Sequence, residues 1–275
     1  MSQEHAVEVA SGNRFEFGKN WQNFLRSLDE AKIQDAERSL SQMLGVSSLQ
    51  GKTFLDIGSG SGLFSLAARK LGATVHSFDY DPDSIACTQE LRRRYFPNDS
   101  DWTVEQGSAL DRAYLSRLGQ FDVVYSWGVL HHTGQMWRAL ENAGLMVAPG
   151  GLLFIAIYND EGTKSRRWTW VKKTYNRSKI MRGPLLFGSM LHLYWKPIVK
   201  DFLQLHPFRS LRNYGSGGRG MSWWPDLVDW VGGYPFEVAK PEELFNFYRD
   251  RGFELVQMTT CNDLGCNEVV FRKKA

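Results

Sequence analysis

The sequence predicts an α/β fold, a doubly wound and mostly parallel seven-stranded sheet whose last strand runs antiparallel, interrupted by a helical insertion. Three observations carry this. Short apolar runs alternate with amphipathic stretches from Thr53 to Tyr158, a glycine-rich turn joins the first of these strands to its helix, and the alternation stops after Tyr158 and resumes near Pro241. Near-continuous apolar strands separated by helices imply a parallel sheet covered on both faces.

Taken in order, residues 20–45 carry apolar positions from Trp21 to Leu44 at helical spacing and read as one helix closed by Gly45. This places an N-terminal helical segment over 1–50. Strands follow at 53–57, 74–78, 102–105, 121–125 and 152–158, with helices at 63–71, 82–95, 111–118 and 137–147. Pro82 suits a first helical turn. Ala-Pro-Gly-Gly at 148–151 reads as a turn. After the break come a helix at 242–251 and strands at 253–259 and 267–272, joined by a short loop and therefore antiparallel. The sheet domain comprises 51–160 and 239–275, and the insertion 161–238. Within the insertion, 168–175 and 185–202 read as lid helices and Gly-Gly-Arg-Gly at 217–220 as a hinge.

Composition narrows the classes. The chain has 275 residues, 43% hydrophobic and 23% charged, which excludes a mostly disordered chain. Three cysteines (Cys87, Cys261, Cys266) exclude a disulfide scaffold, and none has the spacing of a zinc site. Cys87 reads as packing on a helix face. The polar, mixed-charge start lacks the pattern of a signal peptide, and the most apolar stretch, 184–199, is broken by His192 and Lys196. A soluble, cytoplasmic protein is expected. The net charge of +3 hides an asymmetry. Residues 163–214 hold twelve Lys or Arg against one acid, Asp201, a local +11 that leaves the remainder at −8. Six of the ten tryptophans fall between 163 and 236.

The strongest motif is Phe-Leu-Asp-Ile-Gly-Ser-Gly-Ser-Gly at 54–62. Gly58, Gly60 and Gly62 allow a tight turn and a close backbone approach to a ligand, and the helix that follows offers free N–H groups, as does Ser59 within the turn. Asp79 stands 21 positions after Gly58 at the end of the next strand, where a carboxylate accepts from ribose hydroxyls. The glycine spacing does not meet the GxGxxG register of dinucleotide folds. Asp56, two positions before the first glycine, could instead hold an amino acid's ammonium.

These residues resemble class I S-adenosylmethionine-dependent methyltransferases, the broad group that includes ubiquinone and menaquinone biosynthesis methyltransferases, with their Rossmann-like fold. Further segments match in order: Phe-Asp-Tyr-Asp-Pro at 78–82, the run from Phe121 to His132, Ala-Pro-Gly-Gly-Leu-Leu-Phe-Ile at 148–155 and the closing hairpin. The resemblance covers about 50–160 well. It implies that Asp56 and Gly58 border the methionine part of S-adenosylmethionine, that Asp79 binds the ribose, that Tyr80 lies beside the adenine, and that Ser108 and Ala109 face its edge. An acid is common in the family where Ser108 stands.

Methyl transfer from a sulfonium requires alignment, exclusion of water and, for a hydroxyl, removal of a proton. Candidate bases at the strand ends are His131 first, then Tyr158, with His132 and Asp160. Trp127 could line the sulfonium. No metal cluster accompanies them, so metal-free transfer is expected, most simply to a hydroxyl of a small or medium organic acceptor, with S-adenosylhomocysteine as product. The insertion is the acceptor's expected address. Its basic side suits an anionic or lipid-linked acceptor, a membrane surface, or RNA. An RNA methyltransferase and a non-catalytic cofactor-binding partner subunit are the alternatives.

Overall fold

The computed structural model describes residues 2–206, 209–212 and 223–275. The expected hinge at 217–220 lies outside the described residues. Seven strands form one sheet: β1 Thr53–Ile57, β2 Thr74–Asp79, β3 Trp102–Gln106, β4 Phe121–Trp127, β5 Val147–Tyr158, β6 Phe253–Thr259 and β7 Cys266–Lys273. Their order is β3-β2-β1-β4-β5-β7-β6. The pairs from β3 through β5 are parallel, and β7 runs antiparallel to both β5 and β6. The helices are α1 Ser2–Ala10, α2 Phe17–Arg26, α3 Glu30–Leu44, α4 Leu63–Lys70, α5 Pro82–Tyr95, α6 Arg112–Leu118, α7 Met136–Leu145, α8 Thr163–Arg177, α9 Arg182–Leu203, α10 Arg209–Arg212, α11 Trp223–Gly232 and α12 Pro241–Arg249.

Strand periodicity explains the two-sided core. Leu55, Ile57, Val124, Leu153 and Ile155 pack on one face of the sheet, while their neighbours Phe54, Val123, Tyr125, Leu152 and Phe154 pack on the other. Each face is then covered by helices. Aspartates start three of them: the side chains of Asp29, Asp81 and Asp111 accept backbone N–H bonds from the first turns of α3, α5 and α6.

Two readings need correction. The single helix over 20–45 is two helices. Ser27 ends α2, its hydroxyl and N–H both donating to the Phe24 carbonyl, and Asp29 restarts the chain as the N-cap of α3. The polar stretch Ser2–Ala10 forms a further helix, α1. Ala-Pro-Gly-Gly at 148–151 is not a turn before β5 but an irregularity inside it: Phe121 pairs with Val147 and Val123 with Leu152.

The insertion has its own apolar centre, with Trp168, Tyr175, Tyr194, Leu227, Val231 and Phe236 buried together. Its two ends are pinned side by side. Asn159 bridges Ala239, the Ala239 N–H donates to the Tyr158 carbonyl at 3.0 Å, and the Glu237 N–H donates to the His131 carbonyl at 2.9 Å.

Candidate active site

At the carboxyl ends of β1, β2 and β4 lies a cavity of about 730 Å³, the place where open α/β sheets bind ligands. Its floor is the glycine turn. Gly58, Gly60 and Gly62 all have positive φ, +79°, +54° and +82°, and the Gly58 and Ser59 N–H groups donate to the Phe78 carbonyl. A Cβ on Gly62 would stand 2.8 Å from the Thr88 backbone, so this glycine fixes the turn from below and does not line the cavity. Left-handed strain and this clash act together. Gly62→Ala should destabilise the fold by about 2–4 kcal/mol, lowering the melting temperature by roughly 5–10 °C. An unshifted calorimetric melt would show that the turn tolerates a side chain.

Asp79 ends β2 and lines the cavity with Tyr80. Its carboxylate accepts from Gly60 N–H and Asp81 N–H, each at 2.9 Å. Burial pushes its pKa up to about 6, against the pull of those donors. Asp56, on β1, is raised further, to about 7, by complete burial, with the Ser65 hydroxyl donating to it. Ser108 and Ala109 face the same cavity, and the Ser108 hydroxyl accepts from Leu110 N–H. Trp127, at the end of β4, donates its indole N–H to Glu268 of β7 at 2.8 Å, and both line the wall.

The opposite side holds the candidate bases. His132 and Tyr158 line the cavity, while His131 and Asp160 do not. His131 is fully buried behind Tyr158, ring centroids 4.1 Å apart. Its Nδ1 accepts the Tyr158 N–H at 3.3 Å, which leaves Nε2 protonated and buried with no partner among the described residues. It meets the cavity through the rings of Tyr158 and of His132, the latter with centroids 4.4 Å apart. His132 has the other tautomer. Its Nδ1 donates to the Pro235 carbonyl at 2.5 Å, so Nε2 carries the lone pair, and burial drops its pKa to about 3. Asp160 accepts from Gly162 N–H.

Sequence reasoning missed the N-terminal contribution. Residues of α1, α2 and the link between them roof the cavity: His5, Arg14, Phe17 and Trp21 all line it. Arg14 lies over the Tyr80 ring at 4.8 Å and donates to the His132 carbonyl. Gly18 N–H donates to Asp81 at 2.8 Å, and His5 Nε2 stands 3.7 Å from the same carboxylate. The only available signal was aromatic: Phe15, Phe17 and Trp21 recur in an otherwise polar start.

A second unforeseen residue is Lys172 of α8. It is fully buried among Trp230, Phe236 and Tyr158, its Nζ 4.3, 4.7 and 6.0 Å from their ring centroids, and it donates to the Trp230 carbonyl. Burial lowers its pKa to about 7, with Asp229 opposing. The folded pKa is below the unfolded value of about 10.4, so the fold is progressively destabilised as pH falls from 10 to 7. Relative to the parent, Lys172→Met should therefore gain about 2–3 kcal/mol in stability between pH 9 and pH 6. A difference between the two proteins that stays constant with pH would mean that the amine titrates as in water.

A family model described as a methyltransferase domain matches residues 28–189. The chain belongs to the methyltransferase-domain family. The cavity therefore sits within the matched segment on its glycine-turn side, and outside it for the roof and for Asp229 of the insertion. Among curated proteins it is 33% identical over 149 residues to a ubiquinone biosynthesis O-methyltransferase of Brucella ovis, covering 54% of this chain and 51% of that protein. A namesake from Caulobacter sp. is 31% identical over 121 residues, covering 42% and 44%. The chain spans about half the length of the curated relatives it matches. Among solved structures, magnesium protoporphyrin IX methyltransferase from Synechocystis with bound S-adenosylhomocysteine superposes with a TM-score of 0.52 at 13% identity, covering 88% of this chain and 83% of that one. The N-methyltransferase NodS from Bradyrhizobium japonicum, also with S-adenosylhomocysteine, gives 0.51 at 16%, covering 93% and 99%. These likenesses are of fold.

Proposed function

We propose that this protein transfers a methyl group from S-adenosylmethionine to a hydroxyl of a small or medium organic acceptor, without a metal. The observation that carries the reading is one cavity with a glycine turn and two strand-end carboxylates on one side and a neutral histidine beside a tyrosine on the other. S-adenosylmethionine supplies an activated methyl group on a sulfonium. Asp79 would hold the ribose hydroxyls, Asp56 and Gly58 the amino-acid end, Tyr80, Ser108 and Ala109 the adenine, and Trp127 the neighbourhood of the sulfur. Gly58 lets Val129 pack against the turn and Gly60 lets Trp21 approach it, since a Cβ would stand 2.3 and 3.1 Å from those side chains, while Ser59 and Gly62 shape the turn. The N-terminal roof would exclude water.

On the acceptor side, His132 would take the hydroxyl proton on Nε2, with its ring held by the Pro235 carbonyl, and Tyr158 would orient the acceptor. His131 would act through Tyr158 as a positioning residue. Insertion and roof together would shape the acceptor's space. The acceptor hydroxyl fits the names of the O-methylating relatives, whereas the fold also serves an N-methyltransferase.

Calorimetric titration tests the donor. S-adenosylmethionine and S-adenosylhomocysteine should bind in the micromolar range while NADH does not; binding of NADH alone would overturn the reading. The same titration carries a pH signature. Asp56 is held near 7 by burial, and a cationic ammonium beside it would pull that value down. Binding near pH 6.5 should thus release a proton, read as a heat that scales with buffer ionisation enthalpy. Buffer-independent heats would remove Asp56 from the ligand's neighbourhood.

A further inference from the structure

The insertion carries a surface that the methyltransferase site does not use. On α9, Phe187, Leu191, Trp195 and Val199 recur every four residues and so form one stripe along the helix. Each is between 46% and 61% exposed. Ile180, just before the helix, is 88% exposed. Scattered exposed apolar side chains are ordinary, but a continuous stripe that includes a tryptophan marks a contact surface. Arg182, Lys196 and Lys200 lie along the flank of this stripe and are exposed. They form no ion pair among the described residues. The exposed face of α8 repeats the theme, with Arg166, Trp170, Lys173 and Arg177 on one side of the helix.

We infer that the exposed face of α9 docks on an anionic lipid surface, with the helix lying in the plane of the interface. Charge complementarity selects this occupant: residues 163–214 carry a net +11. An apolar stripe inserts among acyl chains while flanking Lys and Arg meet anionic headgroups, and tryptophan favours that boundary. A second copy of the chain is a poorer match. A symmetric contact would set this patch against itself, opposing Arg182, Lys196 and Lys200 to their own copies. RNA would satisfy the cations, yet Leu191, Val199 and Ile180 offer bases no stacking face. No helix among the described residues is long and apolar enough to cross a membrane, which fits a helix that lies on one. The inference does not rest on the acceptor proposed above.

Flotation with vesicles of equal parts phosphatidylglycerol and phosphatidylcholine, against phosphatidylcholine alone, tests it. The protein should float with the anionic vesicles, less so as salt rises. Leu191→Glu with Trp195→Glu, and separately Lys196→Glu with Lys200→Glu, should each weaken that partition roughly tenfold or more. Melting temperature and S-adenosylhomocysteine affinity should stay at parental values, which separates failure of this inference from failure of the cofactor reading. Absence of flotation, equal flotation of parent and both variants, a solution dimer abolished by Trp195→Glu, or tighter binding to single-stranded RNA than to the anionic vesicles would overturn it.

Discussion

Asp79→Ala should weaken S-adenosylhomocysteine binding by about a hundredfold at pH 7.5. A buried carboxylate accepting two ribose hydroxyls contributes roughly 1.5–3 kcal/mol per bond, and losing both costs about 3 kcal/mol, or two decades in Kd. In this structure the same carboxylate also receives the Gly60 and Asp81 N–H groups. The alanine variant thus loosens the glycine turn as well, and the loss should exceed that of Asp79→Asn, which retains the side chain's shape. pH gives an independent check. Burial holds Asp79 near 6, so the parent's affinity should fall as pH drops through 6 and the acceptor protonates, whereas the alanine variant lacks that inflection. Calorimetry from pH 5 to 8 reads both. Unchanged affinity in the alanine variant would take Asp79 out of the site.

His132→Asn should lower turnover by about a hundredfold, the lower end of what a positioned proton acceptor contributes. Asparagine retains an N–H donor for the Pro235 carbonyl and removes the Nε2 lone pair, so the test isolates the base from its packing. S-adenosylhomocysteine affinity should be unaffected. Because burial keeps the imidazole neutral down to about pH 3, its protonation should leave no acid limb in the rate between pH 5 and 8. The measurement is transfer of labelled methyl to an acceptor found by screening. Near-parental rates in His132→Asn, with a severe loss in Tyr158→Phe, would move the proton to the tyrosine.

Local patterns made the sheet legible. Strand periodicity, the glycine turn and the acid at the end of β2 are properties of short windows, and a parallel sheet buried on both faces gives unbroken apolar runs. What escaped detection is held by distant contacts. Arg14 reaches the cavity by crossing to Tyr80 and the His132 carbonyl, and Glu268 of β7 by meeting Trp127 of β4 across β5; neither has a periodic neighbour to announce it. The split at Ser27 was hidden because apolar spacing continues across it, and only the Ser27–Asp29 polar pair marks the break. His131 and His132 are adjacent in a 3-10 turn spanning Leu130–His132, where one residue changes the face presented, so their order along the chain cannot say which meets the cavity.

The pinned ends of the insertion have a consequence for how this architecture can vary. The chain leaves the sheet at Asn159 and returns at Ala239, side by side. The closure of the loop is thus already fixed by the sheet, and doubling its length would cost only about 0.6 kcal/mol in chain entropy. The stretch between Asn159 and Tyr234 can change length with little penalty to the strands beneath, provided that Pro235 and Glu237 keep their bonds to His132 and His131. On the proposed reading, the acceptor side can then vary without rebuilding the glycine turn.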